Sequence, residues 1–179
     1  MNRLKRSLTL PLNSPGTAGV IFLLVVALIG FADAAYLTVE HYQNVIPPCT
    51  TSGCEAVLTS AYSVVLGVPV SLGGAIYYLA IAIGALIYLE AKLLSGTVRP
   101  FHLWVLRWTL LATVLGLAAS VWFFYLQALV IHSYCQYCLG SATTSTLLFI
   151  TAAIILAKNG KMPAQPPLSP SSPSSSAAL

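Results

Sequence analysis

Four apolar runs decide what this chain can become. Ala18–Val39 carries one charge, Asp33, while Val70–Leu89, Trp108–Ile131 and Leu139–Ala157 carry no Asp, Glu, Lys or Arg. Each is close to the ~20 residues an α-helix needs to cross ~30 Å of hydrocarbon. Lipid offers no partners to open backbone groups, so each run must be helical, and four strands are too few to close a barrel. The third span has room to start as early as Leu103. The expected fold is an all-α membrane protein, a four-transmembrane-helix bundle with an outer loop that carries a Cys pair. Composition agrees: 58% of the 179 residues are hydrophobic and 7% are charged, against ~25% charged in a soluble domain. Mean hydropathy is +0.86. An ordinary cytosolic enzyme, a disordered chain and a nucleic-acid binder are excluded. The net charge of +4 is spread along the chain and forms no basic patch.

The basic residues give a topology. Arg3, Lys5 and Arg6 precede span one, Lys92, Arg99 and Arg107 lie around the turn between spans two and three, and Lys158 and Lys161 follow span four. With four spans all eight fall on one side, cytoplasmic by the positive-inside rule. The other side holds Glu40, Glu55, His41, His132 and all four cysteines. Expected segments are a cytoplasmic N-terminal piece (1–16), a membrane domain (17–157) and a Pro/Ser-rich disordered cytoplasmic tail (158–179). A competing reading of the first run is a cleavable signal peptide, given its basic start and Ala-rich residues 32–35. The stretch is long for that role, and Ala34–Val39 continues it.

The cysteines form two local pairs, Cys49-Thr-Thr-Ser-Gly-Cys54 and Cys135-Gln-Tyr-Cys138. The outer face is where disulfides persist. The second pair falls just before or within the first turn of span four, where free N–H groups and the helix dipole favour a thiolate. The first pair lies in a loop with Gly53 and flanking Pro47 and Pro48. Such a loop can move and carry electrons by thiol–disulfide exchange. The bland alternatives are two inert disulfides in a non-enzymatic scaffold, or a metal site made of all four cysteines. Haem attachment fails because Leu139, not His, follows the motif.

The order of these motifs resembles the vitamin K epoxide reductase family. The resemblance rests on Cys49 and Cys54, on Cys54-Glu-Ala-Val-Leu-Thr-Ser60, on Leu66-Gly-Val-Pro-Val-Ser-Leu-Gly-Gly74 and on Cys135-Gln-Tyr-Cys138. Tyr36-Leu-Thr and His41 after span one also fit, and the likeness covers roughly residues 17–157. DsbB-like oxidases carry their two pairs in the reverse order. The resemblance implies a four-helix bundle around a quinone, menaquinone or ubiquinone, in a bacterial-type homologue. It implies a quinone-dependent thiol oxidoreductase that re-oxidises a DsbA-like thioredoxin-fold protein on the outer side, in a bacterial plasma membrane. Carried over by position, Cys49 meets the partner, Cys54 relays to Cys135, Cys138 faces the quinone, and Ser60 lies near a quinone oxygen. No thioredoxin-like domain follows span four, so the partner is expected as a separate chain. The animal enzymes that process vitamin K carry a Tyr where this chain has Ala142, and an Asn that Gly67–Gly74 lacks. Quinone reduction, rather than epoxide reduction, is expected.

Other residues have two readings each. Asp33 is an intramembrane acid, either hydrogen-bonded within the fold or part of a proton route and quinone pocket. Gly73, Tyr77, Ala80 and Gly84 share a helical face, either for close packing or as a pocket wall in which Tyr77 meets the quinone. Glu55 reads as a solvated loop acid. Tyr62, Tyr134 and Tyr137 read as an interfacial aromatic belt, and His41 and His132 as candidates for proton handling. No resident metal and no nucleic acid are expected; the lipid bilayer is.

Overall fold

The computed structural model describes residues 16–50, 53–96 and 98–159. The expected N-terminal piece, apart from Gly16, and the tail beyond Asn159 lie outside the described residues. Helix α1 spans Thr17–Gln43, and a short α2 spans Cys54–Leu58. Strands β1 (Val64–Val65) and β2 (Val68–Pro69) form a hairpin. Helix α3 is Val70–Leu93 and α4 is Pro100–Tyr125, which runs into a π-helical turn, Leu126–Ile131. Helix α5 is Gln136–Asn159.

The helices α1, α3, α4 with its π turn, and α5 are long and apolar enough to cross a membrane. Their outward residues show it: Phe22, Ile29, Ile83, Val114, Val121 and Ile154 are all exposed. A helix that is apolar all round suits a solvent that is itself apolar. Around the bundle α1 packs on α3 and α5, and α4 packs on α5 and α3. The core between them holds Val20, Leu23 and Ala27 from α1, Tyr78, Ile81 and Tyr88 from α3, Leu106 and Leu110 from α4, and Leu148 and Ala152 from α5.

Span three starts earlier than Leu103, at Pro100. The Arg99 N–H donates to His102 Nδ1 at 3.1 Å, and Pro100 takes the first helical position. Proline suits that place, because its missing N–H would have had no helical partner. Lys92 at the end of α3 and Arg99 at the start of α4 mark one end of the bundle, and the four cysteines lie at the other.

Close approach depends on glycine. The Tyr78 ring lies against Gly30, filling the space of a side chain there. The Tyr78 hydroxyl, on the α5 side, meets the Ser141 carbonyl and the hydroxyls of Thr144 and Ser145, all at 2.8 Å. One tyrosine thus joins α1, α3 and α5. Gly30→Leu should displace that ring and lower the thermal midpoint in detergent, at a cost of about 1–3 kcal/mol. Gly140→Ala, where a Cβ meets nothing within 4 Å, should be neutral or slightly stabilising. Equal effects from both substitutions would refute this role for Gly30.

Candidate redox site

The cysteine end is built from three short segments. After α1, Asn44 adopts a left-handed conformation and its N–H bonds back to the His41 carbonyl, which turns the chain toward Cys49. Cys49 and Cys54 form a disulfide with their Cα atoms 6.3 Å apart. Cys54 then opens α2, which the Ser60 hydroxyl helps to close by donating to the Val57 carbonyl at 2.7 Å. The hairpin that follows turns at Leu66 (φ 53°) and Gly67 (φ 81°). Positive φ at both central residues is the two-residue turn that matches the twist of paired strands. Val70 N–H donates to Ser63 O at 2.9 Å and returns the chain to α3.

Gly53 packs closely against the segment that precedes the second cysteine pair. A Cβ there would lie 2.6 Å from Tyr134 O and 2.7 Å from Tyr134 N. Only glycine lets the loop pair come this close to the segment before the Cys-x-x-Cys motif. As a result Cys54 (1% exposed) and Cys135 (0%) are buried in one cluster with Val57, with Cys49 and Cys138 packed beside it.

Cys135 precedes α5, and Cys138 lies in its first turn. Both are free thiols. The π turn places Gln127, buried to 3% exposure, so that its Oε1 accepts the Cys135 N–H at 2.9 Å, while its backbone carbonyl accepts the Ser133 N–H at 3.1 Å. His132 between them takes a left-handed conformation (φ 53°) and is solvent-exposed. A single π turn ending a helix beside reactive groups is a recurrent local device. Nothing in the sequence reading singles out Gln127. A polar residue close to the end of an apolar run is the available signal.

The two middle residues of the motif hold the other pair in place. Tyr137 Oη donates to Pro48 O at 2.8 Å, and Gln136 Oε1 accepts the Thr50 N–H at 3.1 Å and the Thr50 hydroxyl. Tyr137 also packs on Tyr36, ring centroids 5.8 Å apart. Tyr137 is therefore a clamp on the Cys49 segment, and not part of an aromatic belt with Tyr62 and Tyr134, which are exposed. Glu55 is exposed in the first turn of α2.

The Cys135 thiol is held below its ordinary pKa range, chiefly by the hydrogen bond from Cys138, with help from the Cys138 and Tyr137 backbone N–H groups. Burial opposes this. A thiolate is the attacking species in exchange, so this shift favours Cys135 as the more reactive sulfur of the pair. Cys49 and Cys54 are bonded to each other and offer no thiolates. Among the described residues no group of three or more His, Cys, Asp or Glu is placed to hold a metal ion.

Below the hairpin lies a cavity of about 1010 Å³ with walls from all four spans. Asp33, Gly73, Tyr77, Gly116, Cys138 and Ala142 line it, as do Ser60 and His41. The shared face of α3 divides: Gly73 and Tyr77 border the cavity, whereas Gly84 packs against Thr109 and Ala80 is exposed outward.

A titration checks this geometry. Cys138→Ala removes the hydrogen bond that lowers Cys135, so the ultraviolet absorbance of the thiolate should develop at higher pH than in the wild type. An unshifted titration would rule out the Cys135–Cys138 hydrogen bond as the cause.

A comparison with individual curated proteins finds no match. The family model for the vitamin K epoxide reductase family matches residues 21–153, nearly the whole described bundle and all four cysteines. A four-helix membrane bundle, a disulfide at its end and a Cys-x-x-Cys pair packed beside it agree with that match. The chain belongs to the vitamin K epoxide reductase family, and it is an integral membrane thiol oxidoreductase.

Proposed function

We propose that the protein takes two electrons from a thioredoxin-fold dithiol protein outside the membrane and delivers them to a membrane quinone, menaquinone or ubiquinone, in support of disulfide formation. One observation carries the reading. The oxidised pair and the Cys-x-x-Cys pair meet through the buried Cys54 and Cys135, and Cys138 lines a large cavity between the spans.

Cys49 is the less buried member of its disulfide, which suits attack by a bulky partner. The partner's dithiol becomes a disulfide, and Cys49 and Cys54 become thiols. Cys54 then attacks the oxidised Cys135–Cys138 pair at Cys135, passes through a mixed disulfide, and closes again with Cys49. Cys135 and Cys138 are left reduced. A bound quinone supplies a two-electron, two-proton acceptor beside Cys138. The cavity fits such a molecule by its size, its largely apolar walls and its few polar groups. The family is generally quinone-linked. Ser60 contributes a hydroxyl at the cysteine end of the cavity. Its proton is engaged by Val57 O, so donating to a ligand requires rotation away from that bond.

The cysteine end faces outward in this reading, with both termini in the cytoplasm of a bacterial cell. Lys92, Arg99 and Lys158 stand at the opposite end of their helices, the cytoplasmic end by the positive-inside rule. The membrane domain covers 17–157, and the flanking 1–16 and 158–179 stay cytoplasmic.

These roles are open to direct test. Cys138→Ala should abolish quinone reduction even with a small dithiol as donor, whereas Cys49→Ala should harm oxidation of a protein dithiol more than that of a small one. Equal residual activity in both variants with both donors would defeat the division of labour. Ser60→Ala should lower quinone turnover by about tenfold at most, the scale of one neutral hydrogen bond, with thiol exchange unaltered. In intact cells, an impermeant maleimide should label Cys49 after reduction. Labelling only after permeabilisation would reverse the orientation.

A further inference from the structure

Two buried side-chain atoms lack a hydrogen-bond partner among the described residues, Asp33 Oδ2 and Tyr77 Oη. Both residues line the cavity that Cys138 borders. Buried polar atoms are paired in the great majority of cases, so each exception calls for a reason. The neighbouring tyrosine makes the contrast sharp. Tyr78 Oη has the Ser141 carbonyl and three hydroxyls, of Ser141, Thr144 and Ser145, within 3.0 Å. Tyr77, one residue earlier, turns away from that network. Its hydroxyl reaches across to α4 and occupies the place where a side chain on Gly116 would stand.

The two atoms belong to different walls. Tyr77 reaches the α4 wall. Asp33 belongs to α1 and lines the same cavity as Cys138. A 1,4-dione carries an oxygen at each end of its ring, one for each wall. Ser60 is less suited, because its proton is already given to Val57 O, and Ala142 offers no polar group to the same cavity.

We propose that Tyr77 and Asp33 hold the two oxygens of the quinone, Tyr77 as a fixed hydrogen-bond donor and Asp33 as a neutral acid that gives up a proton during reduction. The inference rests on the quinone reading above. In the balanced step, Cys135 and Cys138 form an S–S bond and release two electrons and two protons. The quinone takes up two electrons and two protons and becomes the hydroquinone. Asp33 supplies one proton and regains it from one of the thiols. The proton of the other thiol goes to water, and water supplies the second proton to the ring oxygen that Tyr77 holds. Tyr77 keeps its own proton throughout. In an apolar cavity, a donor already in place stabilises the charge that builds on oxygen more strongly than water does.

The test separates binding from transfer, with purified full-length protein in nanodiscs and a decyl-substituted 1,4-benzoquinone as the probe. Tyr77→Phe removes a single oxygen and should raise the Kd for the probe roughly tenfold. Gly116→Ala, which crowds the Tyr77 hydroxyl, should weaken binding in the same direction. Asp33→Asn keeps a donor but cannot release a proton, so Kd should change little while the single-turnover rate of quinone reduction falls sharply. In every variant, exchange between Cys49–Cys54 and a small dithiol should stay at the wild-type rate. Wild-type Kd in Tyr77→Phe, or a wild-type reduction rate in Asp33→Asn, would overturn the corresponding half of the proposal while quinone binding by the wild type stood. Failure of the wild-type protein itself to bind the probe would overturn the quinone reading, and this inference with it.

Discussion

The structure depends on how closely Gly53 can approach the backbone of Tyr134. Two cysteine pairs, far apart in the sequence, can exchange electrons only if a sulfur of one meets a sulfur of the other. The bundle alone does not bring them together, because Cys49 and Cys54 lie on the connection after α1, and Cys135 precedes α5. The missing side chain at Gly53 lets the connection settle against residues 133–134 and buries Cys54 with Cys135. Gln127 fixes the other partner by accepting the Cys135 N–H. Tyr137 and Gln136 then hold the segment around Cys49 through Pro48 and Thr50. Each of these hydrogen bonds has a net worth of about 1 kcal/mol. A contact held by several such bonds can open locally without disturbing the bundle, as the proposed partner exchange at Cys49 would require.

The bilayer explains the division between the two ends. Helices that cross hydrocarbon can satisfy their backbones internally, but they gain little from apolar burial against one another. Glycine contacts and side-chain hydrogen bonds therefore bind the spans, as at Gly30, Gly84 and the Tyr78 hydroxyl. At the cysteine end, where Gly73, Gly116 and Ala142 line the spans, a cavity forms. An acid within a span is expensive, so Asp33 is best understood together with that cavity. Its sequence position alone invites a hydrogen-bonded role inside the fold, yet its Oδ2 has no protein partner among the described residues.

Much of this is legible in the sequence. The spans stand out because lipid imposes a length and a composition that few other sequences meet. The Cys-x-x-Cys at a helix start stands out because its spacing is local. Less local features do not. By composition span three starts at Trp108, or Leu103 at the earliest, because Arg107 and His102 look unsuited to a membrane helix. Such side chains can extend toward the interface, and Pro100 is the start signal that composition overlooks. Tyr137 looks like an interfacial aromatic, since nothing in the sequence says that Pro48 lies beside it. Gln127 is hidden for the same reason. The face shared by Tyr77 and Gly84 reads as one surface, yet its two halves meet different surroundings.

The central claim is that electrons pass between the pairs at Cys54 and Cys135. The Cys49→Ser/Cys138→Ala double variant leaves those two as the chain's only cysteines. Mild oxidation of the purified protein, followed by intact mass and peptide mapping, tests the claim most directly. The account predicts an intramolecular Cys54–Cys135 disulfide in nearly every molecule. Two persistently free thiols, or linkage only between separate chains, would contradict it.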